Sequence, residues 1–148
     1  MYDSKQDTLD HIVKVQQKIS KIINYLQFRG ACHDESKLDS PEKEIFDEYT
    51  PKLKETKYMS EEYQKYLKEM KKALDHHYGN SRHHPEHFKN GIQGMNLIDI
   101  VEMFCDWLAA VERMKDGNIH ESIENNQKRF NYSDDLKMIF ENTAQLFE

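Results

Sequence analysis

The segment 96–114, NLIDIVEMFCDWLAAVERM, sets the strongest limit on what this chain can fold into. At about 100° per residue, Leu97, Ile98, Ile100, Val101, Met103, Phe104, Cys105, Trp107, Leu108, Val111 and Met114 cover most of a helical circumference. A helix that is apolar nearly all round is a central helix with others packed on it. Asp99, Glu102, Asp106 and Arg113 fall instead within one narrow stripe, at i, i+3, i+7 and i+14. That stripe either faces water, with Arg113 pairing among the acids, or lines an internal site. A buried, ionised carboxylate costs several kcal/mol unless compensated, so an enclosed Asp106 needs a cation, a metal or several donors.

The remaining segments predict more helices. Three prolines and five glycines are spread over 148 residues, which favours helices over a β-sandwich or barrel. Ile12, Val15, Ile19, Ile22, Ile23 and Leu26 recur at 3–4 spacing, predicting an amphipathic helix over 8–28 with Asp7 or Thr8 as cap and Gly30 as its break. Ser40 before Pro41 predicts a restart running to about Tyr49, ahead of Pro51. Ser60 caps a further helix to about His76, and 78–94, with Gly79, Pro85, Gly91 and Gly94, reads as an irregular loop. The central helix covers about 96–115, one short helix is expected within 117–131, and Ser133 starts a last helix to Phe147. With no internal repeat and no boundary, the expectation is a single irregular all-α domain over 1–148, with five to seven helices. The aromatic tail suits either its own core or a second copy, so a homodimer is an expected option.

A net charge of −6 argues against duplex nucleic acid as a partner, since backbone binding needs a basic face. Lysine-rich turns such as KEMKK at 68–72 are interleaved with glutamate and read as solvated helix faces. No apolar run is long enough for a bilayer, and MYDSKQDTLD lacks a signal-peptide pattern. Cys32 and Cys105 make no disulfide framework. A cytoplasmic protein without membrane association is expected.

The stretch HHYGNSRHHPEHF, 76–88, holds five of the chain's eight histidines. Singly, His11 reads as a core-edge histidine and His33-Asp34 as a turn. Together, His11, His33, Asp34, the histidine loop and Asp106 form a series of imidazole and carboxylate ligands without thiolate. Mn²⁺, Fe, Co²⁺, Ni²⁺ and Zn²⁺ accept such a set. Neither cysteine has zinc-finger spacing, and both read as small packing residues behind a site.

In that order, one His on a helix, a His-Asp pair and a distant Asp resemble the ligands of the HD-domain superfamily of metal-dependent phosphohydrolases. The blocks DTLDHIVKV, HDESKL, HHYGNSRHHPEHF and DIVEMFCDWLAA are similar to a small HD-like family met in bacterial and phage genomes. The resemblance implies an HD-like fold in which His11, His33, Asp34 and Asp106 hold a first metal, with Asp34 bridging to a second. His77 and one or both of His83 and His84 would complete the second, and neither doublet reveals which member points inward. One metal, with the loop as a lid, is the alternative. Lys37, three residues after the pair, and Arg82 would clamp phosphate, with Asp34 and Lys37 at the reacting centre. Glu102 would orient a ligand histidine or hold a metal-bound water, and His87 is expected at the surface.

The expected activity is hydrolysis of a phosphomonoester or phosphodiester, of a nucleotide or signalling nucleotide, by metal-activated water. Its rivals are an HD-type di-iron oxygenase, a non-catalytic protein that binds metal or nucleotide, and a helical adaptor without metal.

Overall fold

The computed structural model describes residues 2–57, 59–114 and 116–147. It is all-helical, with no strand among the described residues. The chain divides into two compact units, Met1–His33 and Asp34–Glu148, where the sequence predicts one domain.

The first unit is a single helix, α1, Lys5–Ala31. It extends three residues beyond the predicted span at each end, and Gly30 lies inside its last turn rather than breaking it. Its apolar residues recur as expected, yet α1 buries none of its own residues.

The second unit begins at Asp34, whose φ of 57° is left-handed, a conformation that Asp tolerates better than most residues because its short side chain bonds locally. A 3₁₀ turn, Glu35–Leu38, and a cis Ser40–Pro41 peptide follow. Helix α2, Lys43–Glu55, starts two residues later than Ser40-Pro41 suggests and carries Pro51 inside it. Proline forfeits a single intrahelical bond there, and α2 continues through it to Glu55.

Ser60 caps α3, Glu61–Glu69, as predicted, its hydroxyl accepting from Tyr63 N–H at 3.2 Å. The single helix expected from Ser60 to His76 is interrupted at Met70, which is completely buried, and resumes as α4, Lys71–Asn80. No proline or glycine marks that break.

The expected loop contains two short 3₁₀ turns, Pro85–His87 and Gly91–Gly94. Gly94 leaves no room for a side chain, since a Cβ there would stand 2.8 Å from Phe88 Cβ. Helices α5 (Leu97–Glu112), α6 (Ile119–Phe130) and α7 (Asp134–Ala144) complete the unit. The predicted end of α5 at 115 lies outside the described residues. Asn96, Asn118 and Ser133 each cap the helix that follows with a side-chain oxygen. The connection 117–131 is therefore mostly α6, since the Asn118 cap and the apolar positions Ile119, Ile123 and Phe130 support a full helix.

These three helices, with Tyr132 between α6 and α7, hold the core: Met103, Phe104, Trp107, Ile123, Tyr132, Phe140 and Ala144. Phe140 stacks on Phe104 with centroids 5.0 Å apart and meets the edge of Trp107 at 5.3 Å. The Tyr132 hydroxyl donates to the Ile123 carbonyl at 2.6 Å, and burial pushes its pKa up. The aromatic tail thus packs on its own core through Phe140 and Ala144, while Met138, Ile139 and Phe147 are exposed. Burial of α5 is one-sided: Asp99, Glu102, Met103, Phe104 and Trp107 are inside, and Leu97, Val101, Cys105 and Ala109 are exposed. None of the described helices is long and apolar enough to cross a membrane.

Candidate metal centre

The polar stripe of α5 lies partly inside. Asp99 is fully buried and Glu102 nearly so, Asp106 is half-buried, and only Arg113 reaches the surface. Each buried acid has work to do. Asp99 closes a capping box, accepting from Asn96 N–H at 3.0 Å while its own N–H donates to Asn96 Oδ1 at 3.0 Å. It also takes the guanidinium fork of Arg82, Nε to Oδ1 at 3.1 Å and Nη2 to Oδ2 at 2.8 Å. Arg82 was expected to clamp phosphate. Its two aligned donors instead serve a buried carboxylate 17 residues away, and its guanidinium lies 4.9 Å over the Phe88 ring.

The first histidine doublet separates cleanly on α4. His77 is buried, and His76 is about half exposed, because neighbours on a helix point about 100° apart. At the second doublet His83 lies in a turn and His84 is extended, and both rings face the same group. His83 is buried and His84 half-buried, with ring centroids 4.2 Å apart.

His77 Nε2 lies 3.0 Å from His84 Nε2 and 3.2 Å from Asp34 Oδ1. His83 Nε2 lies 3.4 Å from that same oxygen. The four residues Asp34, His77, His83 and His84 each offer an atom within 4.8 Å of all the others. Asp106 and Asp34 likewise bring carboxylate oxygens within 4.8 Å of each other.

Buried acids orient these rings from behind. Fully buried Glu42 accepts from His77 Nδ1 at 3.0 Å and from His76 Nδ1 at 2.7 Å, and Ser36 donates to it at 3.1 Å. Glu102 Oε1 lies 3.2 Å from His83 Nδ1. With Nδ1–H given to a carboxylate, a neutral imidazole presents its Nε2 lone pair.

Electrostatics favour the ligand forms. Burial, reinforced by the His83 and His77 rings, pushes His84 down to about 2, so its imidazole is neutral at pH 7. Burial alone would push Asp34 up, but hydrogen bonds from His77 and His83 and the Lys37 ammonium hold it well below the usual carboxylate range. Lys37 Nζ donates to Asp34 Oδ2 at 2.6 Å, placing a cation beside the group.

Could this donor set hold a metal? Metal–nitrogen and metal–oxygen bonds of about 2.0–2.1 Å put neighbouring ligand atoms about 2.8–3.4 Å apart in octahedral or tetrahedral shells. The separations of 3.0, 3.2 and 3.4 Å fall in that interval. Three imidazoles and a carboxylate, with no thiolate, suit a first-row divalent ion. The residues fit.

A model of DUF5662, described as a family of unknown function, matches residues 1–146. The chain belongs to DUF5662. No curated protein and no solved structure matches it.

In this DUF5662 protein Asp34, His77, His83 and His84 all belong to the second unit. His11 stands on α1 of the first unit with its side chain exposed, and His33 is that unit's last residue, one peptide bond before Asp34. His87, expected at the surface, is half-buried, and its Nδ1–H donates to the Tyr78 carbonyl at 3.1 Å, tying the loop to α4. Cys32 and Cys105 are exposed rather than packed behind the site. Sequence reasoning missed Glu42, Ser36 and Ser81, whose hydroxyl lies 3.2 Å from His77 Nδ1. Glu42 follows Pro41 in a charged stretch, and only the fold sets it against His76 and His77.

Proposed function

We propose that this protein is a metal-dependent phosphohydrolase of the HD type. The observation that carries the reading is the meeting of Nε2 of His77, His83 and His84 with Asp34 Oδ1, the first two rings held from behind by Glu42 and Glu102. His77 and His83 hydrogen-bond to Asp34 there, and a divalent transition metal, one ion or two, would take the place of those protons among the same donor atoms. Such an ion acidifies a water and stabilises charge on phosphoryl oxygens. Asp34, His77, His83 and His84 hold it, and Lys37 adds a cation next to Asp34 that draws an anionic ester to that place. The reaction is attack of water on phosphorus with departure of the ester oxygen as an alcohol. The HD resemblance adds His11, His33 and Asp106 as ligands.

Elemental analysis of untagged protein tests the reading. Wild type should carry Mn, Fe, Co, Ni or Zn, and His77→Ala and His83→Ala should lose most of it, whereas full metal content in both variants would overturn the site. His11→Ala separates two forms of the idea: metal content falls if the first unit contributes a ligand and stays if residues 34–148 suffice. Phosphate release from mono-, di- and cyclic nucleotides with added Mn²⁺ reports the chemistry, and a wholly negative screen would leave metal binding without hydrolysis.

A further inference from the structure

A cavity of about 220 Å³ opens between α5 and α6 in the second unit, and His84 and Asp106 are among the residues that line it. His84 is thus shared by the metal-ligand group and the cavity. An ester whose phosphate sits at that group has this cavity open to its alcohol part.

We infer that the cavity takes the body of the substrate, and that this body is an uncharged, flat heterocycle carried on a single phosphate: a nucleoside monophosphate. The inference rests on the proposed function above. Charge supports it first. Asp106, Asp116 and Glu121 line the cavity, and among the described residues Arg129 is the one cation doing so. Arg129 already donates to Glu86 Oε1 at 2.5 Å and to the Tyr78 hydroxyl at 3.3 Å. A second or third phosphate would meet carboxylates without an available counter-charge, so nucleoside di- and triphosphates are disfavoured. Size agrees, since pockets for drug-sized ligands run to about 300–1,000 Å³ and a dinucleotide needs more than this cavity offers.

Chemistry then narrows the body. Trp107 and Phe130 supply aromatic surface against which a planar ring can lie. Asn125 and Asn126 add carboxamides, each with donor and acceptor side by side, which match the edge of a nucleobase. Asn126 is buried, and its amide donates to Ser122 Oγ at 3.3 Å, which fixes its orientation. An aliphatic alcohol offers no such edge to these carboxamides.

Trp107 is the chain's only tryptophan, so its emission reports the cavity directly. Metal-free full-length protein is titrated with adenosine, guanosine, cytidine, uridine and thymidine, and separately with inorganic phosphate. At least one nucleoside should shift Trp107 emission saturably, phosphate should not, and Asn125→Ala should weaken that nucleoside at least tenfold. With Mn²⁺ added, the matching monophosphate should release phosphate at least tenfold faster than its triphosphate. No shift with any nucleoside, or faster release from the triphosphate, would overturn the inference. Nucleoside binding needs no metal, so it survives if the metal site is wrong. Hydrolysis of phenyl phosphate without any nucleoside response would instead retain the site and remove the cavity's role.

Discussion

Replacing Arg82 separates a structural ion pair from a substrate clamp. The Arg82 fork makes two charge-assisted bonds, of 3.1 and 2.8 Å, to a carboxylate with no solvent exposure. Bonds of that kind contribute about 1.5–3 kcal/mol each. The Arg82 side chain is 45% exposed, so water screens the pair and roughly half of the summed value is retained, about 2–3 kcal/mol for Arg82→Ala. Asp99 then keeps Asn96 N–H as a donor, which prevents a larger loss. With a urea m-value of about 1–3 kcal/mol/M, the unfolding midpoint should fall by about 1 M with the slope unchanged. Arg82→Lys keeps charge without the fork and should lose about half as much. The double variant Arg82→Ala/Asp99→Asn should be less destabilised than the sum of its parts by at least about 1 kcal/mol. A midpoint for Arg82→Ala within about 0.3 M of wild type, together with a tenfold rise in KM for a phosphate ester, would refute this reasoning and return Arg82 to the substrate.

Glu42→Gln keeps the shape of a fully buried side chain but removes its charge behind His77. Metal affinity should fall about 10–100-fold in a chelator-competition titration, and an unchanged affinity would mean that Glu42 serves only the fold. In metal-free protein His84, pushed down to about 2, stays neutral where the unfolded chain takes up a proton below about 6.5. The unfolded state then binds more protons, so stability should fall as pH drops below about 6.5, by up to about 1.4 kcal/mol per pH unit. Asp34 has the same sign, its contribution being lost below the ordinary carboxylate range because its folded pKa is lowered. Urea midpoints across pH 4–8 check this, and His84→Gln should flatten the profile between pH 4.5 and 6.5.

The readable part of the fold was the part written in local terms. Ser60 and Ser133 announced helix starts because a hydroxyl before the first turn acts within four residues. The stripe of Asp99, Glu102 and Asp106 was visible from periodicity alone, and its first members are inside. The break at Met70 was not visible, because tertiary burial of that residue, rather than a glycine or proline, accompanies it. Pro51 misled in the opposite direction, since α2 continues through it. At the candidate site, histidine density pointed to a loop whose His83 and His84 rings lie beside His77, and helical geometry explains why His77 is inside and His76 is not. The pairings of Arg82 with Asp99 and of Glu42 with His76 span 17 and 34 residues. Contacts of that length follow from chain topology, and no local spacing rule carries them.

Glu42 clasps two successive imidazoles, one through each carboxylate oxygen, and this limits how the protein can diverge. An insertion near residue 57 lengthens a turn that Glu42 does not touch. One added residue between Met70 and His76 rotates both rings by about 100° and opens the clasp. Length variation among descendants of this chain should therefore gather between α2 and α3 and spare the start of α4.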